Sequence, residues 1–459
     1  MYISKLELRN IRGVGARGLV LDLARTGSPS HSSHAGWTVI AGSNGAGKTT
    51  LLQAMAATLL GGTGTNWLFR PEDRRDWIYQ RGRKAALSDL GTTCAWIERV
   101  PSDDDAAPRE QTVAPVPLRV VWPRDHSWVR ELPPEGEHST LLHQFWNAAA
   151  WGTTPAGWMF AAYGPHRSNR QSSPDSASLL RGPPRSAAVV TLFRQDAGLE
   201  GVNGWLIDLE LRAARRQGAA AAAVRDGVLR LLGDGLVEAN KRTQLKVEAD
   251  GLHVRWGAGW RPIRQLGDGF YSTLVMVADI LMRVDQFRPG RLLEEIQTWP
   301  STPDFIPALN MSGVVVIDEP EGHLHPDLQQ RLGFWLKQHF PKLQFIVTTH
   351  SPLICQAAEP GGLFRMPKTG AIEAVDSETW ARVVNGTLDT SVTSHLFDLK
   401  SAESDRAAKQ RRRLAELMIK WRREGLSPDE QAEQQGLSAR LPTEPSYQLD
   451  TLVQGLLRL

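Results

Sequence analysis

The residues Gly42-Ser43-Asn44-Gly45-Ala46-Gly47-Lys48-Thr49 carry the first chemistry legible in this chain. They match G-x-x-x-x-G-K-[ST]. A compact β-prone run, Trp37–Ile40, precedes them, and apolar residues at helical spacing from Leu51 to Leu60 follow. Glycines let the backbone curl until several N–H groups point inward at phosphate oxygens. A helix that starts at about Lys48 aims the positive end of its dipole at the same anion. In that context Lys48 is expected to reach the β- and γ-phosphates of ATP and the Thr49 hydroxyl to bind Mg²⁺, with Thr50 next in the nucleotide-binding set.

A second constellation lies far downstream. The apolar run Val314-Val315-Val316-Ile317 ends in Asp318-Glu319-Pro320. Asp318 fits the Walker B residue that holds Mg²⁺. Glu319 fits a general base that polarises the attacking water. Many strands end in an acidic turn, so this signal gains its weight from the phosphate loop. Another buried run, Phe345–Thr348, ends in Thr349-His350-Ser351-Pro352. A lone histidine at a strand end is more often structural than catalytic. Here the strand should neighbour the Asp318 strand, and the carboxyl ends of parallel strands are where ligands bind. His350 is therefore placed to contact a γ-phosphate or the attacking water.

These residues need a sheet to hold them. Ile3, Leu6 and Leu8, then Leu19, Leu21 and Leu23, suggest two strands around a turn at Arg12–Gly15. Val314–Ile317 and Gln344–Thr348 read as strands buried on both faces of a mostly parallel sheet. Residues 186–242 carry helical spacing and fit a long helix pair. Strand patterns return at Gln244–Glu248 and His253–Trp256 around Asp250-Gly251. Polar, proline-bearing linkers are expected at 101–117 and 171–185.

Composition sets the outer limits. Hydrophobic residues at 41% and charged residues at 22% give an ordinary globular balance with enough apolar mass for a large core. No run approaches the roughly 20 apolar residues of a membrane-spanning helix. The first residues run into a strand pattern without a secretory signal. The only two cysteines, Cys94 and Cys355, have no metal-type spacing and suggest a reducing compartment, so a cytoplasmic location is expected. A net charge of +3 is too weak to imply nucleic-acid binding by itself.

Together the three motifs resemble the ABC-type ATPase heads of the SMC, RecF and RecN group. The resemblance covers about residues 1–370. The stretch between Lys48 and Asp318 is more than half the chain, as that group requires for an inserted helical lobe and signature motif. Leu266-Gly267-Asp268-Gly269, before the apolar helix Leu274–Met282, looks like the L-S-x-G signature with Gly267 where serine is usual. In the family this motif caps the γ-phosphate of ATP held by the other subunit. The resemblance puts His325 in the D-loop, makes His350 the switch histidine and sets Asn10 and Arg12 near the nucleotide base. It leaves Gln80 as the one candidate for the Q-loop glutamine that helps hold Mg²⁺. The implied fold is α/β: a P-loop NTPase of ABC type, with a mixed sheet around a parallel core, a helical lobe and a helical C-terminal extension. The expected divisions are 1–185 (N-lobe), 186–245 (helical lobe), 246–370 (C-lobe) and 371–459 (extension).

Tyr163-Gly164-Pro165-His166-Arg167, the segment from Leu192-Phe193 to Leu211 and Ser394-His395-Leu396-Phe397 resemble a narrower group. These are the stand-alone ATPases of bacterial anti-phage systems of the Septu and retron-associated types, encoded beside an HNH nuclease. OLD-type nucleases share the head but add a Toprim domain, whose acidic cluster is not found after residue 370. In the extension, Lys409-Gln410-Arg411-Arg412-Arg413 leads into Leu414, Leu417, Met418 and Trp421 on one helix face. That face fits packing on the ATPase head. The flanking basic residues fit equally a solvated surface, a nuclease-docking helix or a contact to DNA phosphates. Ser427 and Glu430 fit a capping box.

The leading expectation is an ATP-hydrolysing subunit of a defence complex. It would form head-to-tail homodimers or higher even oligomers and regulate a partner nuclease of HNH type, with no membrane involvement. The competing reading is a RecF-like DNA-binding ATPase of repair. A transporter ATPase fits poorly because the inserted stretch is too long.

Overall fold

The structure is a computed structural model. It describes residues 2–15, 17–23, 34, 36–70, 73–74, 76–78, 90–98, 115–123, 128–132, 159–167, 172–199, 201–216, 218–236, 238, 241–302, 304–368, 370–397 and 404–441. Its strands run in chain order: β1 (Tyr2–Arg9), β2 (Leu19–Asp22), β3 (Gly36–Ala41), β4 (Gly91–Glu98), β5 (Val116–Trp122), β6 (Arg130–Leu132), β7 (Met159–Tyr163). They continue with β8 (Leu245–Glu248), β9 (Gly251–Trp256), β10 (Gly259–Pro262), β11 (Gly313–Asp318), β12 (Leu343–Thr349), β13 (Leu363–Arg365) and β14 (Glu373–Ala374). The helices that bear on the site are α1 (Lys48–Leu68), α2 (Gly201–Ala213), α3 (Ala219–Leu232), α4 (Asp268–Phe287) and α5 (Pro326–His339).

Three sheets result. The central one has the order β14-β13-β3-β12-β11-β7, parallel throughout except for the β13–β14 pair. A five-stranded sheet, β2-β1-β4-β5-β6, is antiparallel. The third is the antiparallel trio β10-β9-β8. Strands β11 and β12 are buried at every position because parallel strands carry cover on both faces. The main apolar cluster lies between the first two sheets. Leu51, Met55 and Leu59 of α1 meet Ile3, Leu6 and Leu8 of β1 and Val314 and Val316 of β11 there.

This architecture is the mixed-sheet, ABC-type P-loop fold with a helical lobe. α1 extends beyond the expected Leu51–Leu60 but breaks at Gly61, whose φ of 69° is not helical. α2 and α3 form the expected helix pair, although α3 stops at Leu232 and an isolated bridge joins Asp234 to Arg242. The expected linker at 171–185 instead contains two short helices, Pro174–Leu180 and Pro184–Ala187. Each begins with proline, whose missing N–H has no partner to lose at a helix start. Of the expected linker at 101–117, residues 101–114 lie outside the described residues, and Val116 already opens β5.

The chain separates into two compact units, Met1–Ser391 and Val392–Leu459. Residues beyond 370 are tied into the first unit because β14 pairs with β13 and Trp380 Nε1 donates to Ala358 O at 3.2 Å. In the second unit, α6 (Asp405–Arg423) and α7 (Pro428–Arg440) pair through Arg413–Glu433 and Lys420–Glu430. The Ser427–Glu430 capping box is present. On α6, Leu417 is buried, Leu414 half-buried, and Met418 and Trp421 exposed.

Candidate active site

The strand order of the central sheet creates the site. β12 lies between β3 and β11, in register from Thr349↔Ala41 on one side to Asp318↔Thr348 on the other. The phosphate loop, Asp318-Glu319 and His350 therefore leave the sheet side by side at its carboxyl edge, although the chain visits them far apart.

The loop itself is set by backbone torsions. Gly45 and Gly47 have φ of 78° and 96°, values open to glycine at little cost. Gly47 is the N-cap of α1 and has no side chain to cap it, so the first N–H groups of the helix remain directed at the loop. Ser43, Asn44 and Gly45 are exposed at its crest. Lys48 Nζ, itself buried, donates to Gly42 O at 2.9 Å and Ser43 O at 3.2 Å and lies 2.7 Å from His350 Nε2. Burial lowers the Lys48 pKa, opposed by the nearby carboxylates of Glu319, Asp318 and Glu321. The His350 pKa is also lowered, first by burial and then by Lys48, with Glu319 opposing. A neutral imidazole can accept from the ammonium, so Nε2 is the unprotonated nitrogen in this arrangement.

The acidic pair is divided by environment. Asp318 is fully buried, and its Oδ2 accepts from Thr49 Oγ1 at 2.6 Å while Oδ1 accepts from Thr348 Oγ1. Glu319 stays half-exposed, with Oε1 3.6 Å from His350 Nε2. Its φ of 46° is in the left-handed region, a strained conformation for a non-glycine residue. At that kink the Glu319 carboxylate lies toward His350, while the Asp318 carboxylate sits between Thr49 and Thr348. A hydroxyl beside one buried carboxylate is a hard oxygen pair of the kind that holds Mg²⁺ together with phosphate oxygens. No group of three or more His, Cys, Asp or Glu suited to a metal occurs among the described residues. Thr49 and Asp318 supply two oxygen ligands that fit Mg²⁺.

Two residues without an assigned role in the sequence reading support this edge. Arg167, on the segment that follows β7, is almost fully buried. Its Nη1 donates to Gly164 O (3.0 Å) and Asp318 O (3.1 Å), and its Nη2 to Glu319 O (3.3 Å) and Pro320 O (2.9 Å). Burial lowers its pKa to about 10, with Glu321, Asp318 and Glu319 opposing, so it remains charged at neutral pH. Glu321 Oε1 accepts from Thr349 Oγ1 at 2.6 Å and from His350 N at 2.7 Å, which ties the acidic turn to the histidine turn. The Asp-Glu-Pro-Glu spacing was the available signal for Glu321. For Arg167 it was an arginine soon after the apolar run Met159–Tyr163.

A cavity of about 1010 Å³ adjoins the phosphate loop. Gly45, Ala46, Gly47 and Thr50 line it together with the turn Gly13–Gly15 and the loop around Met366 and Lys368. Asn10 and Arg12 do not line it. Asn10 Nδ2 donates to Leu90 O, while Arg12 donates to Gln53 Oε1 at 2.7 Å and lies 4.3 Å from the Trp77 ring centroid. Gln80 lies outside the described residues. A separate cavity of about 360 Å³ is lined by His166, Arg167, Arg264, Asp268, Ser272 and His323 among others, and shares no lining residue with the first. Asp268 and Gly269 open α4, with Gly267 as N-cap and Leu266 just before it. His325 caps α5, its Nδ1 accepting from Asp327 N at 3.3 Å.

A curled glycine loop opening a helix, a buried carboxylate beside a threonine hydroxyl, an adjacent half-exposed carboxylate and a histidine on the intervening strand define a P-loop ATPase of ABC type. The chain belongs to the AAA-domain family described as "AAA domain, putative AbiEii toxin, Type IV TA system", whose model matches residues 56–356. A second AAA-domain model matches residues 5–73, across the phosphate loop. Among curated proteins, the chain is 28% identical over 137 residues to the Retron Ec83 probable ATPase of Escherichia coli, covering 30% of this chain and 22% of that one. It is 22% identical over 404 residues to the Septu protein PtuA of Bacillus mycoides, covering 88% of this chain and 46% of that one. The chain thus spans less than half the length of these relatives. Among solved structures, an SMC head bound to the C-terminal winged-helix domain of ScpA aligns at a TM-score of 0.46 and 13% identity, covering 82% of this chain and 99% of that one. No described helix is long and apolar enough to cross a membrane.

Proposed function

We propose that the chain binds ATP with Mg²⁺, hydrolyses it, and uses the cycle to open and close a head-to-tail pair of heads within an anti-phage defence complex. The observation that carries the catalytic part is the meeting of Lys48, Glu319 and His350 beside the Thr49–Asp318 pair. The nucleoside would occupy the cavity between Gly13–Gly15 and Met366, with its phosphates on the loop. Thr49 and Asp318 would hold Mg²⁺, which supplies charge neutralisation at the phosphates. Glu319 would accept a proton from the attacking water, and neutral His350 would orient that water or the terminal phosphate. Lys48 would leave its carbonyl partners for the β- and γ-phosphates.

The head-to-tail part is supported by the separation of the two cavities. The signature at Leu266–Gly269 opens on a different cavity from the phosphate loop, so one nucleotide can meet both only if the signature comes from a second copy. The defence assignment is supported by the likeness to proteins named for retron and Septu systems. A nuclease of HNH type remains the proposed partner. The test is the Glu319→Gln protein, measured for turnover and for mass in ATP. Loss of turnover with accumulation of an ATP-dependent dimer is expected. Wild-type turnover would remove Glu319 from its role, whereas lost turnover with an unchanged monomer would remove the paired heads alone.

A further inference from the structure

The antiparallel trio β8–β10 ends in an uncovered aromatic and basic tip. Arg255-Trp256-Gly257-Ala258-Gly259-Trp260-Arg261 forms a hairpin with a two-residue turn, in which Gly257 has φ of 59°. Such turns are tight and hold their flanking strands in fixed register. The inner half of the hairpin is ordinary core, since Leu252 and Val254 are buried. Beyond Val254 the burial ends. Arg255, Trp256, Trp260 and Arg261 are all exposed, the indoles at 41% and 37%.

Register assigns these side chains to faces. Trp260 lies directly across from Arg255, and Lys246 reaches over the Trp260 ring at 4.6 Å from its centroid. Arg261 pairs with Val254 and so shares the opposite face with Trp256. Each face of the tip therefore offers one indole beside one guanidinium. Nearby acids are engaged elsewhere: Glu248 pairs with Lys246, and Asp250 with Arg264 and His253. Arg255 and Arg261 have no acidic partner among the described residues. Single exposed tryptophans are common and need no explanation. Two within five residues, one on each face of a rigid hairpin and each beside an arginine free of acid, suit unpaired bases and phosphates together.

We propose that the β9–β10 hairpin binds single-stranded nucleic acid, with bases stacking on Trp256 and Trp260 and phosphates meeting Arg255 and Arg261. A base has two π-faces and stacks without regard to sequence, so binding should tolerate any composition. A duplex hides its bases in its own stack and would use only the arginines. The inference does not depend on the ATPase reading.

The test is fluorescence anisotropy of the full chain with labelled oligothymidylate and with a labelled duplex, alongside thermal melting and solution mass. Trp256→Ala/Trp260→Ala should weaken oligothymidylate binding by about tenfold or more and leave duplex binding within about threefold. Trp256→Phe/Trp260→Phe, which keeps a ring for stacking, should restore most of the affinity. If the alanine pair melts abnormally, the phenylalanine pair and the arginine pair carry the test. Arg255→Ala/Arg261→Ala should reduce the slope of log affinity against log salt by about 1.4, the value for two phosphates on a single strand. Equal affinity for single strand and duplex, or indifference of oligothymidylate binding to both aromatic variants, overturns the proposal. So does a change in solution mass without a change in nucleic-acid affinity, because the hairpin would then be an interface between protein chains.

Discussion

Replacing Arg167 with methionine separates the support of the active site from its chemistry. The guanidinium makes four hydrogen bonds to carbonyl oxygens, at Gly164, Asp318, Glu319 and Pro320. Bonds from a charged donor contribute about 1.5 kcal/mol each, so about 6 kcal/mol is at stake. Removing a buried charge returns several kcal/mol of desolvation, which leaves a net loss of about 3 kcal/mol. At roughly 2.1 cal/mol/K per residue, a unit spanning Met1–Ser391 should lose about 4 °C in Tm. The effect on turnover should be disproportionate. Glu319 keeps its left-handed φ of 46° while Arg167 grips the carbonyls on either side of it. Without that grip the turn relaxes toward ordinary torsions and the carboxylate shifts, and a displacement of about 1 Å costs on the order of 100-fold in rate. Lys48 and the phosphate loop are held by their own carbonyls, so nucleotide affinity should change little. The assay is kcat for ATP beside equilibrium binding of a fluorescent ATP analogue and a thermal melt. A fall in affinity that matches the fall in kcat, or an unchanged melt, would refute the reasoning, since Arg167 would then act on the nucleotide or on nothing.

Two other perturbations probe the same edge. Gly269→Ala would place a methyl group 2.2 Å from His323 O, against backbone that cannot swing aside, so α4 must separate from the post-Asp318 turn; a loss of about 2–4 kcal/mol is expected by chemical denaturation, and a neutral result would show that the close approach is not maintained in solution. His350 provides a pH test. Its folded pKa lies below the ordinary 6.5, so the unfolded state takes up a proton first. The stability it contributes is therefore complete above 6.5 and is lost as pH falls through the lower folded value. The melting difference between wild type and His350→Gln should shrink steadily on acidification below that point, and an imidazole NMR titration above 6.5 would contradict the assignment.

The parts of the site that the sequence exposes are those whose residues are contiguous. The phosphate loop and the Val314–Glu319 run each contain their own context, an apolar strand and a following turn, so motif and element are read together. The place of His350 was legible because two short apolar or β-branched runs, Val314–Ile317 and Phe345–Thr348, were expected to be neighbours in a parallel sheet, as they are. Arg167 was not, because three of its four partners lie about 150 residues away and all are carbonyls, which no residue type advertises. Asn10 and Arg12 entered the nucleotide set by resemblance alone, and their contacts, Leu90 O for Asn10 and Gln53 with the Trp77 ring for Arg12, lie too far off in sequence to be read from it. Strands β4 and β5 escaped for a different reason. Thr92, Thr93 and Cys94 in one and Pro117 and Arg119 in the other blur the alternation that marks a half-buried strand, and only pairing with β1 fixes their register.

The glycine at the N-cap of α4 has a backbone reason. Gly267 has φ of 108° and ψ of 149°, a region in which side chains other than hydrogen are strained. Space does not exclude a larger residue, since a Cβ there would meet no atom within 4 Å. Torsion alone reserves the position. A serine hydroxyl could be accommodated only by turning the peptide that introduces α4, and that same peptide sets how closely Gly269 approaches His323. Ser272 does not add a donor at this helix start, because its hydroxyl is directed back to Gly269 O at 3.0 Å. What this end of α4 can offer an anion is its own first backbone N–H groups, opened by the glycine rather than supplemented by a side chain.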